Sequence, residues 1–240
     1  MFERLNLYIV KTMLRGKYLF LAALFAASFL TAGCEIPLGT PQERIFKSAK
    51  NGYVKTMRKL LDSGINPNIT DSAGWTPLMW AAAKDNVEII RLLVSRGGDT
   101  GVRNKKGETA LHIASRWSRL ETVRFLINSG ASTEALDRLG WPPLMWASMQ
   151  GRTEVVRELV AGGANIEFRD SNRNTALMMA ANRGREETVK ALLELGANPF
   201  KINADSQTAA EIAGFSGYTD LAALIRGEQP VKPAARKTRR

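Results

Sequence analysis

The chain has 240 residues, 45% of them hydrophobic, a formal net charge of +11 and one cysteine. A single cysteine excludes an intramolecular disulfide framework, and a basic excess points to nucleic acid, anionic lipid or acidic polymers only if it is spread over the body of the protein. It is not: Arg4, Lys11, Arg15 and Lys17 oppose Glu3 before residue 34, Lys232, Arg236, Lys237, Arg239 and Arg240 oppose Glu228 after residue 227, and the mildly basic stretch between argues against a nucleic-acid reader.

Tyr18 to Ala32 form an apolar run of 15 residues behind Arg15 and Lys17. A helix crossing the bilayer needs about 20 apolar residues, so this run has the proportions of a signal peptide over residues 1–33. Leu30, Thr31, Ala32, Gly33 and Cys34 resemble the lipobox of bacterial lipoproteins. That resemblance implies that Cys34 is diacylated, that the leader is cut before it and that the new amino group is acylated. The other reading is an ordinary cleaved signal followed by an unmodified thiol. Each buried methylene contributes about 0.8 kcal/mol, so one acyl chain holds marginally and several hold durably. Beginning at Met13 gives a more compact leader, and translation from Met13 is expected in at least part of the product; exported protein undiminished after mutation of that codon would count against it. Glu35 follows the cysteine, which by the same resemblance implies sorting to the outer membrane, facing the periplasm. Residues 34–41 then serve as a linker.

From about Gln42 to Gly227, six blocks keep step at 33 residues without insertion or deletion. One column reads Gly64, Gly97, Gly130, Gly163, Gly196 and another Leu78, Leu111, Leu144, Leu177. A third is Ala81, Ala114, Ala147, Ala180, Ala213; a fourth is Leu60, Leu93, Leu126, Leu159, Leu192; a fifth is Met57, Ile90, Val123, Val156, Val189. A fixed period of this size means stacked supersecondary units, with function on the surface of the array. The fourth and fifth columns lie three residues apart and so share one helix face. The alanines let neighbouring helices approach closely. Helices shorter than about 12 residues are marginal alone, so each must bury its stripe against the next. The glycine column suits a left-handed helix end, and Thr76, followed by Pro77, together with Thr109, Thr175 and Thr208, suit helix starts.

Gly74-Trp75-Thr76-Pro77-Leu78-Met79-Trp80-Ala81 and Gly140-Trp141-Pro142-Pro143-Leu144-Met145-Trp146-Ala147 are nearly identical, with Gly107-Glu108-Thr109-Ala110-Leu111-His112-Ile113-Ala114 between them. These segments resemble the G-x-T-P-L-H-x-A signature of ankyrin repeats. The resemblance implies an all-α solenoid of about six helix-turn-helix units with hairpin loops, divided near 42–70, 71–103, 104–136, 137–169, 170–202 and 203–227. The first unit lacks the threonine-proline start and carries Lys47, Lys50 and Lys55, as an outer face would; polar caps are expected at both ends. Arg173 replaces a turn glycine, so the fifth hairpin tip is expected to depart from the others. Residues 228–240 have no apolar period and are expected to be disordered.

No catalytic constellation stands out. The one histidine, His112, occupies the histidine slot of the signature, where it braces a loop. With one His and one Cys, no convergent metal-ligand set can be assembled apart from carboxylates, and no cofactor is implied. Arrays of this family generally bind proteins through hairpin tips and the exposed side of the first helices. The matching positions here are Trp75, Lys84, Glu108, Arg116, Trp117, Trp141, Met149, Gln150, Asn174 and Arg183, with Trp80 and Trp146 close by. Trp80 and Trp146 are divided between core and contact, whereas Trp75, Trp117 and Trp141 are expected on a contact surface. Alanine at Trp75 and Trp141 is then expected to abolish partner capture without unfolding.

The resulting reading is a monomeric, non-enzymatic module, lipid-anchored in a bacterial envelope, that binds or inhibits another envelope protein through a concave face. Within it stand an inhibitor or immunity factor for a cell-wall hydrolase and an assembly adaptor. The alternative is an adaptor or spacer whose basic tail holds anionic glycan or lipid headgroups, at about 1 kcal/mol per basic residue. Deleting residues 228–240 separates them, since only the alternative expects a salt-sensitive loss of envelope binding.

Overall fold

A computed structural model describes residues 39–228, in which the chain forms twelve helices and no strand. They come in pairs: α1 Pro41–Asn51 and α2 Val54–Asp62; α3 Pro77–Lys84 and α4 Val87–Ser95; α5 Ala110–Arg116 and α6 Leu120–Asn128; α7 Pro143–Gln150 and α8 Thr153–Ala161; α9 Ala176–Asn182 and α10 Glu186–Glu194; α11 Ala209–Phe215 and α12 Thr219–Arg226. The first helix of each pair packs on the first helix of the next from α1 to α11, and the second helices do likewise from α2 to α10. This is the expected all-α solenoid. The signal peptide, the Met13 start, Cys34 and the basic tail beyond Glu228 lie outside the described residues.

Each apolar column becomes a buried seam. All five residues of the Met57 column and all five of the Ala81 column are fully buried, and none of the Leu60 column exceeds 5% exposure. Because these helices run 7 to 11 residues, the stability of each comes from burying its stripe on a neighbour rather than from its own hydrogen bonds. The starts are capped as the sequence indicates. Thr76, Thr175 and Thr208 accept through Oγ1 from the backbone N–H groups of Met79, Met178 and Glu211. Pro142 has no hydroxyl to offer, and α7 begins without a side-chain cap.

Three turns per repeat adopt left-handed backbone: the hairpin tips at Gly74, Gly107, Gly140, Arg173 and Ser206, and two turns at the helix ends. After the second helices, Gly64, Gly97, Gly130, Gly163 and Gly196 all have φ between +83° and +91°. Between first and second helices the column reads Gly52, Asp85, Ser118, Gly151, Gly184 and Gly217, again all with positive φ. A side chain in this region crowds the following carbonyl. Ser118→Gly is therefore expected to stabilise the fold by about 0.5–1 kcal/mol, net of glycine's greater unfolded-state entropy, read as a raised thermal midpoint. Asp85→Gly should give no such gain, because the Thr122 hydroxyl donates to Asp85 Oδ1 at 2.8 Å.

Three expectations about the edges of the array are corrected. Arg173 adopts φ +61° and its N–H donates to the Asp170 carbonyl at 2.9 Å, so the fifth tip closes like the others despite the missing glycine. Lys50 does not stand out on an outer face: its Nζ lies 3.7 Å from the centre of the Trp80 ring in the next repeat. The C-terminal end of the array is not uniformly polar, since Phe215 in the last repeat and Phe200 at the end of the fifth are both 78% exposed. Their columns serve forward contacts in earlier repeats. Asn68, Glu134 and Glu167 accept from the backbone N–H groups of Asp99, Asn165 and Asn198, while Lys50 and Arg116 cover indoles.

Candidate binding face

Every hairpin tip is organised by one side-chain oxygen. Asp71 Oδ1 accepts from the backbone N–H of Ala73 and Trp75, both at 2.9 Å. Asn104 does the same for Lys106 and Glu108, Asp137 for Leu139 and Trp141, Asp170 for Asn172 and Asn174, and Asn203 for Asp205 and Gln207. Asp and Asn are suited to this because their short side chains bond their own backbone two residues on. The remaining atom of each group decides which of the two is used. Where the neighbour is a donor the residue is aspartate: Asp71 Oδ2 accepts from Trp80 Nε1 at 2.9 Å, Asp137 Oδ2 from Trp146 Nε1 at 2.8 Å, and Asp170 Oδ2 from Trp141 Nε1 at 3.2 Å. Where the neighbour is an acceptor it is asparagine: Asn104 Nδ2 donates to Glu108 Oε2, and Asn203 Nδ2 to Asn174 Oδ1 and Gln207 Oε1. This column was missed in the sequence, although its 33-residue recurrence three places before the turn glycine was there to be found.

Adjacent tips are tied together through backbone bonds. Lys105, Arg138 and Ala204 donate to the carbonyls of Ala73, Lys106 and Asn172. On this frame the tryptophans form two alike units. Trp75 and Trp80 have ring centres 4.5 Å apart at 37°, and Trp141 and Trp146 have centres 5.1 Å apart at 60°. Tilted pairs at this spacing are favourable beyond the area they bury. Each unit is covered by a cation from the preceding first helix, Lys50 over Trp80 and Arg116, 5.0 Å away, over Trp146. Burial pushes the Asp71 carboxyl up, but the N–H groups of Trp75, Trp80 and Ala73 and the charge of Lys50 outweigh it and hold the group below its ordinary value.

The residues expected to meet a partner thus divide. Trp75, Trp80, Trp141 and Trp146 are half-buried, which corrects the expectation that Trp75 and Trp141 stand free. Trp75 and Trp80 pack on the core, and Trp80, Trp141 and Trp146 have their indole N–H groups engaged by carboxylates. Glu108 is a second correction: it is 2% exposed, with Oε2 bonded to Asn104 and Oε1 to Arg116 Nη1 at 2.6 Å. An asparagine at its own tip needs an acceptor, and Glu108 supplies it. Asn174 and Met149 are half-buried. Lys84, Trp117, Gln150 and Arg183 occupy successive positions of one column, each at the C-terminal end of a first helix. Lys84 and Arg183 are exposed, Gln150 is half-buried, and Trp117 is 53% exposed.

His112 sits beneath this face, 1% exposed. Nδ1 accepts from the Thr109 N–H at 3.2 Å, closing a capping box, while Nε2 lies 3.1 Å from the Trp141 carbonyl and donates to it in the tautomer this requires. Burial lowers its pKa below the ordinary 6.5, against the opposing pull of the Trp141 carbonyl, Asp137 and Glu108. Between the folded and unfolded values the unfolded chain binds more protons, so stability should fall as pH drops below about 6.5. Protonation would also place a second donor against the Thr109 N–H. Urea midpoints between about pH 7.5 and 5.5 should decline for the wild type, and the decline should flatten in His112→Gln.

Among the described residues no three or more His, Cys, Asp or Glu side chains are grouped to hold a metal ion. What the geometry defines is a helical repeat array that offers a polar and aromatic surface along its tips and first helices. The profile described as ankyrin repeats in three copies matches residues 45–137 and 144–233, and the chain belongs to the ankyrin-repeat family. It is similar to the ankyrin repeat, SAM and basic leucine zipper domain-containing protein 1 of Nomascus leucogenys and of Pongo abelii, 41% identical over 54 residues, and to that of Mus musculus at 39%. Each match covers 22% of this chain and 11% of the relative, so the chain spans about a tenth of the length of the curated relatives it matches. Ankyrin repeats mark a protein-protein interaction module.

Proposed function

We propose that this protein is a non-enzymatic binding module moored by lipid at Cys34 in a bacterial envelope, where it holds or inhibits another envelope protein. The observation that carries the binding half is the column Lys84, Trp117, Gln150 and Arg183. An indole left 53% exposed on a well-packed array, in a column that also carries the exposed cations Lys84 and Arg183, is the kind of aromatic and arginine anchor that dominates binding energy. It suits a partner surface with acidic groups around an apolar notch. An inhibitor covering a cell-wall hydrolase and an assembly adaptor are two forms of the same role. The mooring half is supported by the apolar run ending at Gly33-Cys34.

The test is a crosslinking pull-down from envelope extract with the wild type, Trp117→Ala and the double variant Lys84→Glu, Arg183→Glu, alongside palmitate labelling of Cys34→Ser. Capture should fall in both surface variants, and label and membrane fractionation should be lost in the third. Undiminished capture by the surface variants would reject this face, and palmitate incorporation into Cys34→Ser would reject the anchor.

A further inference from the structure

The face that carries indole pairs in the second and fourth repeats opens into a hollow between the fifth and sixth. The position of Trp75 and Trp141 is taken by Asn174 and then Gln207, and that of Trp80 and Trp146 by Met179 and then Ile212. With no large ring to fill it, the space forms an open recess of about 330 Å³, floored by methionine and isoleucine side chains and rimmed by carboxamides and Asp205.

The rim is not chemically symmetric. Asn203 Nδ2 donates to Asn174 Oδ1 and Gln207 Oε1, Asn174 Nδ2 donates to Asp170 Oδ2, and the Ser216 hydroxyl donates to Asn182 Oδ1. The amide oxygens of Asn174, Gln207 and Asn182 are therefore engaged within the protein. Asn182 Nδ2 and Gln207 Nε2 have no partner among the described residues, and the Asp205 carboxylate stands across the same rim as an acceptor. Asn182 and Asp205 are exposed to water, and a guest that replaces that water does best by offering a carbonyl to the two carboxamide N–H groups and an N–H to Asp205. A carboxylate meets the repulsion of Asp205 and of Asp170 behind the rim, and an isolated cation leaves both amine donors unanswered. An acetamido sugar also offers a carbonyl and an N–H, but the C–H face of its ring finds methionines rather than an aromatic plate to stack upon.

We propose that this hollow binds an uncharged stretch of extended polypeptide from the partner through carboxamide groups, main-chain or side-chain, with an apolar side chain laid on the Met178, Met179 and Ile212 floor. Methionine is suited to such a floor because it adapts to irregular shapes. The inference rests on the reading of the molecule as a protein binder and names the chemistry of its second contact.

The test follows the side-chain amide resonances of Asn182 and Gln207 in the full-length protein. The probes are the blocked tripeptide N-acetyl-leucyl-glutaminyl-glycinamide, its glutamyl counterpart and the neutral trimer of N-acetylglucosamine. The glutaminyl peptide should shift both resonances, the glutamyl peptide should need roughly tenfold more to do so, and the trimer should leave them unmoved. Gln207→Trp, which restores the indole found at Trp75 and Trp141, should fill the recess and remove the shift of the Asn182 resonance. Asn182→Ala, which touches only the rim and should keep the wild-type circular dichroism, should weaken the response of Gln207. No shift with the glutaminyl peptide, equal shifts with the glutamyl one, or a stronger response to the sugar trimer would overturn the proposal. If the hollow is silent while Trp117→Ala still loses partner capture, this inference falls and the protein-binding role stands.

Discussion

Asp137→Ala is expected to destabilise the array by about 3 kcal/mol. Three donors lose their acceptor at once: the N–H groups of Leu139 and Trp141 at 2.9 and 3.0 Å, and the Trp146 indole at 2.8 Å. The site is 8% exposed, so water replaces these bonds poorly. Asp137→Asn should cost only about 1–2 kcal/mol. Its Oδ1 can keep the turn, as Asn104 and Asn203 do in their repeats, but its amine would face the indole N–H, donor against donor. The two variants are compared by urea denaturation, with the slope checked for constancy. An Asp137→Ala protein that unfolds at the wild-type midpoint would mean that the carboxylate does not organise the tip.

Trp141→Ala and Trp117→Ala should part company. Removing the Trp141 side chain breaks the bond to Asp170 and the tilted contact with Trp146, at a cost of about 2–3 kcal/mol for a half-buried indole. Trp117 has its ring mostly in solvent, and its removal should change stability by less than about 0.5 kcal/mol while weakening partner capture by roughly tenfold or more. The measurements are thermal midpoints and capture yields on the same preparations. Loss of capture in Trp141→Ala alone, with Trp117→Ala unaffected, would move the contact surface away from the first-helix ends and onto the paired indoles.

Much of the architecture is legible in one dimension because a stack repeats the same local problem. Residues 33 apart meet the same neighbours, so the Leu60, Met57 and Ala81 columns identify the seams, and the glycines from Gly64 to Gly196 identify the turns, without any long-range information. The same logic explains the caps at Thr76, Thr175 and Thr208. Arg173 shows its limit: a residue other than glycine in a left-handed turn costs strain, but the bond to the Asp170 carbonyl and the Asp170 side chain still closes the tip.

The candidate binding face was legible only in outline. Spacing placed all twelve candidate positions along the tips and first helices, but it could not tell Trp117, open to solvent, from Trp141, whose N–H is engaged by a carboxylate 29 residues away. Nor could it show that Glu108 turns inward to satisfy Asn104, or that Lys50 crosses to the indole of the following repeat. Periodicity by itself determined that the chain stacks paired helices and which residues are buried between them, because burial there depends only on the repeat. Which polar and aromatic groups remain free to meet a partner was decided by tertiary structure, because each hydrogen bond from one repeat to the next removes a donor or acceptor from the surface, and those pairings depend on which residues the neighbouring repeat happens to supply.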